Sequence, residues 1–177
     1  MRGSKLWVFL GVLPLLVGFD WGTKTVVNRT LAVGEEVRVI PGLLSWTHAE
    51  NPDIAFSLPA PPALIVGAAV VLLIGLVWTL WKLPSGARLQ AAALATMAAG
   101  GIGNLVDRLM DGTVTDFVQV YLDDATVAPW LVRHFHTSTW PIFNVADACL
   151  FVGVVMWLVH GWFERESDPP ALGLDGA

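Results

Sequence analysis

The stretch WPIFNVADACLFVGVVMWLVHGWF, residues 140–163, decides how this chain is read. From Phe143 onward it has the length and apolarity of a membrane-crossing helix, since about 20 residues at ~1.5 Å rise span the hydrocarbon core. Yet Asp147 sits about one helical turn inside it. An ionised carboxylate at that depth is costly, and such residues usually have a task and a partner. Asn144 lies three residues earlier and shares a helical face with it. An acid near the positive end of a helix is mildly favourable, but that alone leaves Asn144 unexplained.

The whole chain agrees with a membrane setting. Its 177 residues are 55% hydrophobic and 14% charged, against roughly 25% charged residues in soluble domains. The net charge is −5 with no basic tract, so nucleic acid is not an expected partner. The single cysteine, Cys149, lies in an apolar run and allows no disulfide framework. Nine tryptophans suit a protein with much interfacial surface.

Four apolar segments, residues 6–22, 63–83, 90–109 and 143–163, are predicted to span. The first has the positive start and apolar length of a secretory signal, but the following DWGTKTVV offers no small-x-small cleavage site. Four spans place both termini on one side. Basic residues divide five against five between the two sides. Lys82 and Arg88 sit in the short connector, and their density favours termini inside. The outer side then holds two long segments. EEVRVI, LLSWTH and TVTDFVQVY alternate in character and read as short strands, with Pro41-Gly42 as a turn. The fold expected is an all-α membrane protein of four helices, one domain over 1–166, with a small outer β element, a long outer loop, and a disordered tail over 167–177.

The polar residues are not scattered. Gly100, Gly101 and Gly103 thin one stretch of the third span for close helix packing. Asn104 and Arg108 follow on one face, and Asp116 lies just past that helix. Asp20 and Lys24 end the first span; alone they would be an i,i+4 ion pair at the membrane boundary. Asn51 lies in the first outer segment. With Asn144 and Asp147 these groups fall at one membrane level, which suggests a site. His134 and His136 supply only two ligands, short of the four a closed metal site needs, so no metal is expected.

The motifs DWGTK (20–24), NPDIAFS (51–57), GGIGNLVDR (100–108), VTDF (114–117) and FNVAD (143–147) occur in an order that resembles lipoprotein signal peptidase, or signal peptidase II, of bacterial inner membranes. That resemblance implies four transmembrane helices, cytoplasmic termini and a periplasmic β-cradle. It implies an aspartyl endopeptidase, without cofactor, that removes signal peptides from diacylglyceryl-modified prolipoproteins just before the lipidated cysteine. It carries the catalytic dyad over to Asp116 and Asp147. Asp20, Lys24, Asn51, Asn104, Arg108 and Asn144 match positions that shape the site and hold substrate. Membrane lipid and globomycin-type peptide inhibitors are implied partners, and a monomer is expected. Two departures stand out: Asp53 occupies a position usually held by glycine, and the stretch between the two aspartates carries an insert within residues 122–139. Two rival readings are a small ion- or proton-coupled transporter and an inactive binding relative that keeps lipoprotein affinity with an altered pocket, for which Asp53 is the only hint. Transporters are built on repeats with midplane sites, and no repeat is visible here.

Overall fold

The structure is a computed structural model and describes residues 4–52, 60–124 and 127–167. Asp53 and the tail from 168 onward therefore lie outside the described residues. Elements run in the order α1 (Ser4–Thr30), β1 (Glu36–Ile40), β2 (Leu44–Asn51), α2 (Pro62–Lys82), α3 (Arg88–Met110), β3 (Val114–Val120), α4 (Val127–Phe135) and α5 (Val145–Ser167). Among the described residues, α1, α2, α3 and α5 are the four helices long and apolar enough to cross a membrane.

The central helix is α3, the most enclosed of the four, packed by α1, α2 and α5. Its composition explains this place, because Ala91, Ala93, Ala95, Ala98, Ala99, Gly100 and Gly101 let neighbouring backbones come close. A Cβ on Gly100 would run into the Ala146 carbonyl and Leu150 of α5; one on Gly103 would meet Asp20 of α1 and Ala146. The outer faces of α1, α2 and α5 expose Trp7, Leu15, Val71, Trp81, Phe151 and Trp162, a surface suited to lipid.

The first helix runs eight residues further than the 22 expected from hydropathy, to Thr30. The hydroxyls of Thr23, Thr25 and Thr30 donate to the carbonyls of Phe19, Trp21 and Val26, at 3.0, 2.7 and 2.7 Å. Polar side chains thus bond to their own helix, which continues past the apolar stretch with Asp20 and Lys24 inside it rather than at its end. Lys5, in sequence part of a positive flank, is buried instead. Its ammonium donates to the carbonyls of Leu80 (2.8 Å), Trp81 (3.2 Å) and Leu83, satisfying the otherwise orphaned C-terminus of α2.

The strands form one antiparallel sheet in the order β1-β2-β3, with Ala49 opposite Asp116 and Asn51 opposite Val114. Gly42, at φ +78°, takes the left-handed turn after Pro41 that joins β1 to β2. The stretch over 122–139 is not a plain loop. Leu122 donates to Ser138 (2.9 Å) and Trp140 to Val120 (2.8 Å), so the chain leaves β3 and returns beside it as a hairpin stem with α4 at its tip. Asp124 lies just before α4, its Oδ1 accepting from Val127 N at 2.9 Å. His134 therefore lies on a helix rather than a strand, stacked on Trp130 with ring centroids 4.5 Å apart. The fourth span begins at Val145, two residues later than hydropathy suggests, and Pro141 belongs to the returning stem.

Gly100→Ala is expected to lower stability by about 1–3 kcal/mol, because the added methyl meets backbone that cannot swing aside. The thermal unfolding midpoint in detergent checks this.

Candidate active site

Three segments converge where α3 ends, β3 begins and α5 starts. Asn144 is the residue just before α5 and has no exposed surface. Its Oδ1 accepts from Asp147 N at 2.9 Å, and its own N–H donates to Asp147 Oδ2 at 3.2 Å. This is a reciprocal capping box, with Asn144 at the cap and Asp147 three residues on. Asparagine at 144 and aspartate at 147 are thus tied by the start of the helix itself.

The same asparagine reaches the other acid. Asn144 Nδ2 donates to Asp116 Oδ1 at 2.7 Å, with Asn104 Oδ1 at 3.1 Å and the Thr115 carbonyl at 3.3 Å also within reach. Asp116 Oδ2 accepts from Asn51 Nδ2 at 2.9 Å. Asp147 Oδ1 accepts from Asn104 Nδ2 at 2.7 Å. Each acid is therefore one hydrogen bond from Asn144. They differ in access: Asp116 is 2% exposed, whereas Asp147 is half-buried.

Behind them lies a buried cation. Lys24 Nζ lies 2.9 Å from Asp20 Oδ2 and 2.8 Å from Asp107 Oδ2, and it donates to Asn104 Oδ1 at 3.2 Å. The Asp20–Lys24 pair, which spacing alone suggests to be a weak boundary ion pair, has both side chains 3% exposed. Asp20 Oδ1 accepts from Ala146 N at 2.8 Å. The Arg108 guanidinium is half-buried, donates to the Asn104 carbonyl at 3.3 Å and stands within electrostatic reach of Asp147, Asp116 and Asp107.

The tertiary fold thus gathers Asp20, Lys24, Asn51, Asn104, Arg108, Asp116, Asn144 and Asp147 into one network. It adds Asp107, which the pattern of motifs does not single out as a site residue. The spacing held a signal: Asp107 is three residues after Asn104 and so on a neighbouring face of α3. Among the described residues no group of three or more His, Cys, Asp or Glu is arranged to hold a metal ion. A polar cleft of about 760 Å³, lined by Asn28, His48, Glu50, Asp111 and Thr115, opens away from this network. It is lined by Thr115 rather than Asp116, and successive strand residues point to opposite faces.

Burial pushes the Asp116 carboxyl up to about 6 from 3.8; hydrogen bonds from Asn51 and Asn144 oppose this, and the Asp147 charge adds to it. The Asp147 charge is thus one of the causes that hold a proton on Asp116. An ionised carboxylate next to a protonated one is the equipment for activating water and polarising a carbonyl.

Comparison with known proteins gives the family. The family model described as Signal peptidase (SPase) II matches residues 12–163. The chain belongs to the signal peptidase II family. It is 36% identical over 173 residues to the lipoprotein signal peptidase of Pseudomonas putida, covering 95% of this chain and 93% of that one. It is likewise 36% identical over 146 residues to that of Listeria monocytogenes, covering 82% and 86%. A bacterial membrane enzyme solved by the in meso method at 2.3 Å superposes with a TM-score of 0.76 at 24% identity, covering 95% and 93% of the two chains, a likeness of fold. A second, at 1.9 Å, gives 0.70 at 25% identity over 89% and 92%. The chain is accordingly a peptidase and a multi-pass membrane protein.

The electrostatics of this signal peptidase II site lead to two expected outcomes. Lys24→Met leaves the buried Asp20 and the largely enclosed Asp107 without their cation and is expected to cost about 3–5 kcal/mol, read as a lower unfolding midpoint. Asp116 carries a raised folded-state pKa, so its contribution to stability is full below about 3.8 and is lost as pH rises through about 6. The unfolding midpoint should therefore contain a component that falls across that window, and Asp116→Asn should remove it. Equal pH dependence in both proteins would refute the assignment.

Proposed function

We propose that this chain is a membrane aspartyl endopeptidase that removes signal peptides from diacylglyceryl-modified prolipoproteins, cutting just before the lipidated cysteine, with Asp116 and Asp147 as its dyad. The observation that carries this reading is the shared partner: one buried asparagine, Asn144, bonds to both acids at once.

In this reading the pair holds one proton. The ionised member takes a proton from water as the water oxygen attacks the scissile carbonyl carbon. The protonated member donates to the carbonyl oxygen, giving a neutral diol intermediate. Collapse breaks the C–N bond, and a carboxyl proton goes to the leaving nitrogen. The products are a signal peptide ending in a carboxylate and a lipidated cysteine with a free amine. Asn144 and Asn104 fix Asp147, and Asn51 and Asn144 fix Asp116. Asp20 and Lys24 support the network from behind, and Arg108 orients the site.

The location suits such a substrate. A diacylglyceryl cysteine is anchored in one leaflet, with the signal helix spanning beneath it, so the bond to be cut lies at the membrane boundary. Asp116 lies in β3, just past the C-terminal end of α3, and Asp147 in the first turn of α5. We place the chain in the bacterial inner membrane with termini in the cytoplasm and the dyad at the periplasmic face, acting as a monomer. Globomycin-type peptides would compete for the same groups.

Cleavage of a lipid-modified prolipoprotein peptide by purified protein tests the proposal. Asp116→Asn and Asp147→Asn should each lower turnover by at least roughly a thousandfold. Wild-type rates in either variant would overturn the dyad.

A further inference from the structure

The buried cation has a second effect on the acids, through backbone rather than side chain. Asp20, bonded to Lys24 through Oδ2, uses Oδ1 to accept from Ala146 N at 2.8 Å. Ala146 immediately precedes Asp147. Asp107, bonded to Lys24 at 2.8 Å, accepts from Thr115 N at 3.3 Å. Thr115 immediately precedes Asp116. A continuous chain of contacts thus links the backbone beside one acid, through Asp20, Lys24 and Asp107, to the backbone beside the other.

Neutralising Lys24 does not require this arrangement. One carboxylate balances one ammonium, and bringing a second, largely enclosed carboxylate to the same cation costs desolvation. Asp107 also lies in the last turn of α3, where the helix end is negative and an acid is unfavourable. Asp107 is placed there despite both costs. What it supplies is reach, since it joins the cation of α1 to the first residues of β3.

We propose that Asp107 is a positioning residue for peptide hydrolysis, its carboxylate tying the Thr115 backbone to Lys24 so that a single buried cation sets the separation of the two acids. The inference rests on Asp116 and Asp147 being the dyad. Asp107 touches neither acid's side chain in this role; it acts through the strand that carries Asp116. A misplacement of about 1 Å between reacting groups is enough to cost roughly a hundredfold in rate.

The test is steady-state cleavage of the lipid-modified prolipoprotein peptide by wild type, Asp107→Asn, Asp107→Glu and Asp111→Asn. Asp111 is exposed at the same end of α3 and serves as the charge control. Asp107→Asn should lower kcat by roughly 10- to 100-fold with KM nearly unchanged. Asp107→Glu, which keeps the charge, should recover part of that loss, and Asp111→Asn should behave as wild type. Should Asp107→Asn fail to fold, Asp107→Glu decides: a reduced kcat at unchanged KM supports the inference, and a wild-type kcat overturns it. A wild-type kcat in a folded Asp107→Asn, a change confined to KM, or an equal loss in Asp111→Asn would also overturn it. If wild type itself does not cleave the peptide, the proposed function fails instead, and this inference goes with it.

Discussion

Asn144 is wholly enclosed, and its amide and backbone groups are committed to the two acids, Asn104 and the Thr115 carbonyl. Inside a protein such bonds are stronger than in water, and leaving one unmade is costly. One small side chain can serve all these partners only if the end of α3, the start of β3 and the start of α5 meet at a single point. That requirement runs back through the packing. Gly100 and Gly103 are small because α5 and Asp20 must lie against α3 at those positions.

The electrostatics follow from the same convergence. A carboxylate removed from water holds its proton more tightly, and for Asp116 burial outweighs the two amide donors that favour its ionised form. Asp147 begins a helix and accepts from the backbone N–H of Asn144. Two chemically identical side chains thus have different surroundings although they share a partner. Lys24 adds a positive charge on the far side, held by Asp20 and Asp107. The apolar outer faces of α1, α2 and α5 set this polar cluster at the rim of a surface made for lipid.

The stretch between the two aspartates shows where local signals become thin. DDATVAPW looks polar and irregular, yet Val127 begins a helix whose third residue is Pro129, a first-turn position that proline tolerates, and Asp124 accepts from Val127 N. Nine residues are too few for an apolar period to declare itself. Hydropathy understates the first helix for the opposite reason. Its last turns are polar by composition, and their threonines are accommodated only because each hydroxyl bonds back to its own helix.

The spans, the strands and the set of polar residues at one membrane level were legible in the chain alone, because hydropathy and alternation are properties of neighbouring residues. So was the kinship, carried by short motifs in order. What only the tertiary structure decided is who meets whom. Asp20 caps a backbone group 126 residues away, and Lys24 bonds to Asn104 across 80. The capping box at Asn144, the burial of the Asp20–Lys24 pair and the place of Asp107 depend on which helix faces pack together. No local pattern encodes that, since the energy of a buried polar group depends on partners brought near by the fold rather than by the sequence.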